Sequence, residues 1–444
     1  MNPVQSKLKY YNQVLKKIVK IISISLAAML MAAACGLTPD RGGKAIELTW
    51  WKTFDDPRQV GPLIEEFQKT NKNVKISFVQ KNIETYEDEL INALASGQGP
   101  DIFTIHNDWL PKYKDKMAPV PEKTWPLRDH QESFLETASS DFVDNKQIYA
   151  VPLAVDILSM YYNKAIFSSA GIATPPATWE ELVSIVPKLT KIDKLGNFQR
   201  NAVALGTADN INRAPDLVEL LMLQNGTPLY TDDKSRAVFD QVVRQSGSES
   251  YSPGTRALEF YTQFANPGKV TYTWNNRSNN SVESFSSGQV AMIFSYGYLK
   301  GTLAAKAPFL SYGIAPVPQI EGSGARVNFA NYWGEGVSKQ SAKQDAAWQF
   351  LKFISGKQVL PKYYEAYKQP SSRPDILSQQ ISDADIGVFA ENALSAKSFY
   401  KPDANAAESI IIQMINDVVL RDVSVQDAVR SAVAKINLLL KTKR

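Results

Sequence analysis

Apolar and polar residues alternate along AIELTWWKTF, residues 45–54, with Ile46, Leu48 and Trp50 on one side and Glu47 and Thr49 on the other. A period of two predicts a strand. The following PRQVGPLIEEFQKT gathers Leu63, Ile64 and Phe67 on one side and predicts a helix, and NVKISFVQ alternates again as a second strand. ETYEDELINALASGQG then places Tyr86, Leu90, Ile91 and Leu94 on one helical face and closes at Gly97, before a third strand, PDIFTIH. Strand, helix, strand, helix, strand predicts an α/β domain with a largely parallel sheet. Ligands of such sheets bind beyond the carboxyl ends of the strands. Here those ends carry Trp51, Lys52 and Phe54, then His106, Asn107 and Asp108.

The pattern before residue 45 is of another kind. Lys7, Lys9, Lys16, Lys17 and Lys20 form a basic segment without an acid, and Ile21 to Ala34 carries no charge. Fourteen residues span only about 21 Å as a helix, short of a hydrocarbon core of roughly 30 Å, so a secretory signal is the better reading than a membrane span. The chain's single cysteine, Cys35, follows Ala32-Ala33-Ala34 and precedes Gly36. Ala-Ala-Cys-Gly resembles a bacterial lipoprotein signal, whose cysteine is lipidated and becomes the mature N-terminus. Ala32 stands where that pattern prefers leucine, and an ordinary signal with an incidental cysteine is the alternative. A lone cysteine supports neither an internal disulfide nor a multi-cysteine metal site.

Charge then changes its meaning. The whole chain is formally +4, but removal of the five signal lysines leaves −1, and no concentrated basic face for nucleic acid remains. Roughly 410 mature residues are enough for two or more domains with real cores.

The densest motif run is IYAVPLAVDILSMYYNKAIFSSAGIATPPATWEELVSIVPKL, preceded by SGQGPDIFTIH and followed in order by FSSGQVAMIFSYGYL, YGIAPVPQIEG, GEGVSKQSAKQDAAWQFLKFIS and QPSSRPD. Together these are similar to the extracellular solute-binding proteins of carbohydrate-type ABC importers, family 1, from about Leu48 to the end of the chain. The resemblance implies an α/β, two-lobe periplasmic-binding-protein-like fold of type II, with the ligand in a cleft between lobes joined by three crossovers. On that basis residues 1–34 are the signal and 35–44 a linker. Lobe 1 takes 45–153 and 331–370, and lobe 2 takes 154–330 and the C-terminal helices of 371–444. Pro370 and Pro374 bracket a polar Ser-Ser-Arg that no helix would run through, which fits the third crossover. The implied partners are a carbohydrate and ABC permease subunits with a separate ATPase, and the chain is expected to act as a monomer without cofactor or metal.

A sugar needs planar aromatics for its C–H faces and carboxylates, amides or guanidinium groups for its hydroxyl edge. The expected ligand set is Trp51, Phe54, Tyr161, Tyr296, Tyr298 and Trp333 with Asn107, Asp108, Asp156, Glu335 and Arg373. Trp50, Trp179 and Trp348 have inward spacing and are assigned to cores. Asp156 sits alone in an apolar strand, where a carboxylate is costly without a partner; it either caps a turn at the hinge or accepts sugar hydroxyls. Arg373 clamps a hydroxyl pair or an anionic group, or makes a salt bridge between lobes. Gly334 and Gly336 beside Trp333 are read as permitting a close backbone approach and a bend. The competing class is a secreted glycoside-hydrolysing lipoprotein, which needs two facing carboxylates; Asp108, Asp156 and Glu335 are the nominal candidates. Gly-x-Ser-x-Gly, His-Glu-x-x-His and the Walker loop do not occur, and His106 and His130 are the only histidines.

Overall fold

The structure is a computed structural model, and it describes residues 45–243 and 250–442. The signal segment, Cys35 and residues 244–249 lie outside the described residues. In chain order, β1 (Ile46–Lys52), α1 (Pro57–Thr70), β2 (Val74–Gln80), α2 (Ile83–Ala95) and β3 (Ile102–His106) appear where alternation and helical spacing put them. Asp56 caps α1 by accepting from the Arg58 N–H, and Asn82 caps α2 in the same way from Glu84.

Next come β4 (Ala150–Pro152), β5 (Asp156–Ile157), β6 (Ser159–Asn163), α3 (Trp179–Leu189), β7 (Lys191–Ile192), β8 (Phe198–Val203) and α4 (Ala214–Gln224). The second half runs through β9 (Val290–Ser295), β10 (Tyr312–Pro316), β11 (Asn328–Asn331), β12 (Trp333–Val337), α5 (Gln344–Ile354), β13 (Ala396–Lys397), α6 (Ala404–Arg421) and α7 (Val425–Thr442).

The strands sort into two five-stranded sheets. The first has the order β2-β1-β3-β12-β4, and the second β10-β6-β9-β8-β7. In the first, β1, β2 and β3 are parallel, while β12 runs antiparallel to both β3 and β4. A narrow ribbon, β13-β11-β5, lies between the sheets, and Ala154 bridges to Ser371 alongside it. Here the chain passes from one lobe to the other: from β4 to β5, from β11 to β12, and past Ser371. Three nearly coincident passages make a hinge rather than a flexible linker.

Each lobe has its own apolar core. Trp50, Leu63, Phe67, Phe350 and Leu351 pack α1 and α5 on the first sheet, and Trp179, Leu182, Val203, Leu220 and Phe294 lie in the core of the second lobe. Trp50, Trp179 and Trp348 are buried, in line with their spacing. Gly334 and Gly336 serve packing rather than a bend. Neither has a positive φ, and a Cβ would lie 2.4 Å from Phe142 and 2.0 Å from Met117. Among the described residues no helix is long and apolar enough to cross a membrane, and no group of three or more His, Cys, Asp or Glu could hold a metal ion.

Candidate functional site

The carboxyl ends of β1 and β3 and the start of β12 meet at the hinge side of the first lobe. Trp333 pairs with His106 across β12 and β3 and is half-buried. Its indole is edge-on to His106 at 5.1 Å, Trp109 at 5.2 Å and Phe54 at 5.6 Å between ring centroids. Phe54 itself is 62% exposed, a large apolar surface standing free at a strand end. Phe54 and Trp333 thus form a two-ring platform, backed by Trp109, which stacks on Tyr113 at 5.5 Å. Trp51 points to the other face of β1, where the Lys81 ammonium lies 4.0 Å above its ring. The structure does not bring Trp51 into ring contact with the platform.

From the second lobe comes a polar edge built around Asp156. Asp156 opposes Asn331, two residues before Trp333, in the β5–β11 ladder. Its Oδ1 accepts from the N–H groups of Ile157 at 2.9 Å and Gly297 at 2.7 Å, and its Oδ2 from Tyr298 at 3.3 Å. Residue 297 is glycine because a Cβ there would come within 3.0 Å of Asp156 Oδ1. Burial pushes the Asp156 carboxyl up to about 6, against the pull of those three donors. Oδ2 retains accepting capacity. Next to it Tyr298 is 54% exposed, stacks on Tyr296 at 6.1 Å and shares a 3.0 Å hydrogen bond with Asn212 Oδ1.

Several other residues expected at the ligand do different work. Tyr161 is buried and donates to the Tyr296 carbonyl at 2.7 Å; Tyr296 is buried and donates to Asp216 at 2.5 Å. Both sit within or directly beyond the inner strands of the second sheet, where their hydroxyls satisfy interior groups. Glu335 is buried and pairs with Lys52. Asn107 is buried and tied to Asp141 at 3.2 Å. Arg373 makes a local ion pair with Asp375, at 3.0 Å, and a long contact to the Ser355 carbonyl, so it is neither a free clamp nor a salt bridge between lobes.

Asp108 takes part in a contact between lobes that spacing did not reveal. It bonds His106 Nδ1 at 2.5 Å and lies 3.5 Å from the Lys401 ammonium, which in turn is 3.3 Å from Glu219. Arg213 holds Asp216 through two 2.8 Å bonds. Burial alone would raise the Asp108 carboxyl, but His106, Lys401 and Arg213 outweigh it and hold it well below the usual range. Burial would lower Lys401, and the carboxylates of Glu219, Asp108 and Asp216 more than reverse that. Glu219 goes the other way and is raised by burial. Arg213 adopts φ +61°, an uncommon conformation for a residue with a side chain, at the start of α4. A second contact closes the same side: Asn405 Nδ2 donates to Glu87 at 2.9 Å. Behind the Asp108–Lys401 pair lies a polar cavity of about 780 Å³, lined by Asn107, Asp108 and Asp141 from one lobe and Tyr230, Tyr400 and Lys401 from the other.

A family model described as bacterial extracellular solute-binding protein matches residues 53–360, which is more than half of the chain. The chain belongs to this family. The solute-binding protein is 26% identical over 329 residues to the maltotriose-binding protein of Pyrococcus abyssi (strain GE5 / Orsay), covering 73% of this chain and 64% of that protein. It is 21% identical over 394 residues to the galactooligosaccharide-binding protein of Bacillus subtilis (strain 168), covering 87% and 88%. A solved structure of a cyclic alpha-maltosyl-1,6-maltose binding protein from Arthrobacter globiformis superposes with a TM-score of 0.72 at 20% identity, over 89% of this chain and 99% of that one. The architecture of this solute-binding protein is therefore the two-lobed, type II one.

Proposed function

We propose that this chain captures a neutral sugar or oligosaccharide outside the cytoplasmic membrane and hands it to an ABC permease energised by a separate ATPase subunit. The observation that carries this reading is the Phe54–Trp333 ring pair, with the Asp156 acceptor opposite Asn331, two residues before Trp333 in the chain. The names of the relatives point the same way, since one binds maltotriose and another a galactooligosaccharide. Neutrality is supported by charge pairing. Lys52, Lys81, Arg213 and Lys401 are each already matched to a carboxylate, Lys401 to that of Asp108, so an anionic ligand would have to displace one. Closure follows if the ligand binds both lobe edges and so favours the state in which they meet.

Cys35 is proposed as a lipid anchor holding a monomeric receptor at the outer face of the membrane, with lobe boundaries at 153, 330 and 370. Hydrolysis finds less support, because Asp108 and Glu335 are held in ion pairs and leave Asp156 without a carboxylate across from it to act with. The test is a titration of purified protein with maltotriose and galactooligosaccharides, followed by calorimetry and by chromatography of the sugar. Saturable binding with the sugar recovered intact is expected; product formation would overturn the reading in favour of an enzyme. For the anchor, Cys35→Ser should release the protein from membranes, and a mature N-terminus other than Cys35 would refute it.

A further inference from the structure

Phe54 follows β1 and Trp333 opens β12, strands that are not neighbours, since β3 lies between them. Something must fix one ring against the other. On the same face of β12 as Trp333, two residues along, the buried Glu335 carboxylate accepts from Trp50 Nε1 at 2.7 Å and from Thr104 Oγ1 at 2.8 Å, and pairs with the Lys52 ammonium. One side chain thereby ties β1, β3 and β12 together. Lys52 also reaches Asp55 at 2.7 Å, and the Tyr363 hydroxyl donates to the same Asp55 oxygen at 2.5 Å. Lys52 and Asp55 bracket Thr53 and Phe54, so their pairing closes the turn and leaves Phe54 exposed at its apex. Burial would lower the Lys52 ammonium, yet Asp55 and Glu335 together hold it above its ordinary value, so Lys52 stays charged.

Buried ion pairs are poor stabilisers, because desolvation of both ions offsets their attraction and apolar residues of similar volume often serve a core as well. What an ion pair adds is direction. We propose that Lys52, Asp55 and Glu335 are positioning residues that set Phe54 against Trp333 for ligand stacking. The inference rests on the proposed sugar-binding role of that platform. A Phe54 on a loose turn would have to be ordered when ligand arrives, and pre-ordering it saves that entropy.

Asp55→Asn keeps an acceptor for Tyr363 and removes the charge that draws Lys52 to the turn; Glu335→Gln keeps one acceptor oxygen, which Trp50 and Thr104 already share, and serves if the first variant does not fold. In ligand-free protein, hydrogen exchange of the amides of residues 53–56 should quicken by about tenfold in the variant, with Ile46–Trp50 unchanged. Maltotriose affinity should fall about five- to tenfold. In a double-mutant cycle with Phe54→Ala the same variant should cost less than about twofold further, because its effect passes through that ring. Unchanged exchange overturns the proposal, as does a loosened turn with unchanged affinity, or losses that simply add. If the wild-type protein takes up none of the sugars tested, the function reading fails, and exchange of the turn alone decides whether the cluster positions Phe54.

Discussion

Asp156 is held at a cost that ought to be measurable. Moving a carboxyl from its ordinary 3.8 to about 6 disfavours the anion by about 3 kcal/mol. The direction follows from proton counting. Between pH 4 and 6 the folded chain keeps a proton that the unfolded chain has released, so stability falls as pH rises through that window and the full penalty is present above it. Asp156→Asn removes the titration. Its carboxamide oxygen can still accept from Ile157 and Gly297, while its N–H₂ meets the Tyr298 N–H as donor against donor. Setting about 1 kcal/mol against that mismatch, the variant should be more stable than wild type at pH 7 by about 2 kcal/mol. That corresponds to a rise in melting temperature of about 4 °C or more if a lobe unfolds as a unit, and the gain should vanish near pH 4.

Ligand binding should show the opposite effect. A sugar hydroxyl donating to a carboxylate is worth about 1.5–3 kcal/mol, so the same variant should bind about ten- to a hundredfold more weakly at pH 7. Wild-type affinity should decline as pH falls from 7 to 5, and that of the variant should stay flat. Thermal melts and calorimetric titrations of both proteins at pH 4, 5, 6 and 7 are sufficient. A stability difference independent of pH would show that the carboxyl titrates normally. Unchanged affinity would show that it accepts nothing from ligand and merely organises the Gly297–Tyr298 turn.

Trp333→Ala should weaken oligosaccharide binding roughly ten- to a hundredfold, as aromatic platforms do; because half of the indole packs on His106 and Trp109, its ligand-free melting temperature should also drop by several degrees, and an unchanged affinity would place the ring wholly in the core. Lys401→Met cuts the tie between Asp108 and Glu219, so the ligand-free radius of gyration by X-ray scattering should increase; an unchanged radius would mean that the pair does not hold the lobes together. His130 is buried with both ring nitrogens unpartnered and is pushed down to about 4 by burial. Its unfolded form takes a proton first, so stability should be lost as pH falls from 6.5, by about 3 kcal/mol at pH 4; His130→Phe should abolish that loss in urea titrations, and a retained pH slope would assign it to other groups.

Most of residues 45–106 were legible because β1, α1, β2 and α2 each have a more exposed side, so periodicity reports both type and orientation there; β3 is buried along its length. The strand-end placing of Trp333 and Phe54 was legible for a related reason, because strand bounds and direction put both rings at one edge of the first sheet. The inner strands of the second sheet offered no such asymmetry. β6 and β9 are covered on both faces, so Tyr161 and Tyr296 could not be told from ligand-facing tyrosines until the partners of their hydroxyls were visible. Charged residues failed for a deeper reason. Glu335 and Lys52 stand 283 positions apart, and Asp108 and Lys401 meet only where the lobes do. Whether a carboxylate is free to meet a ligand depends on which cation neutralises it, and that is a property of the folded pairing rather than of local spacing. Asp156 kept its place because its partners are backbone N–H groups, which hold a carboxylate without neutralising it.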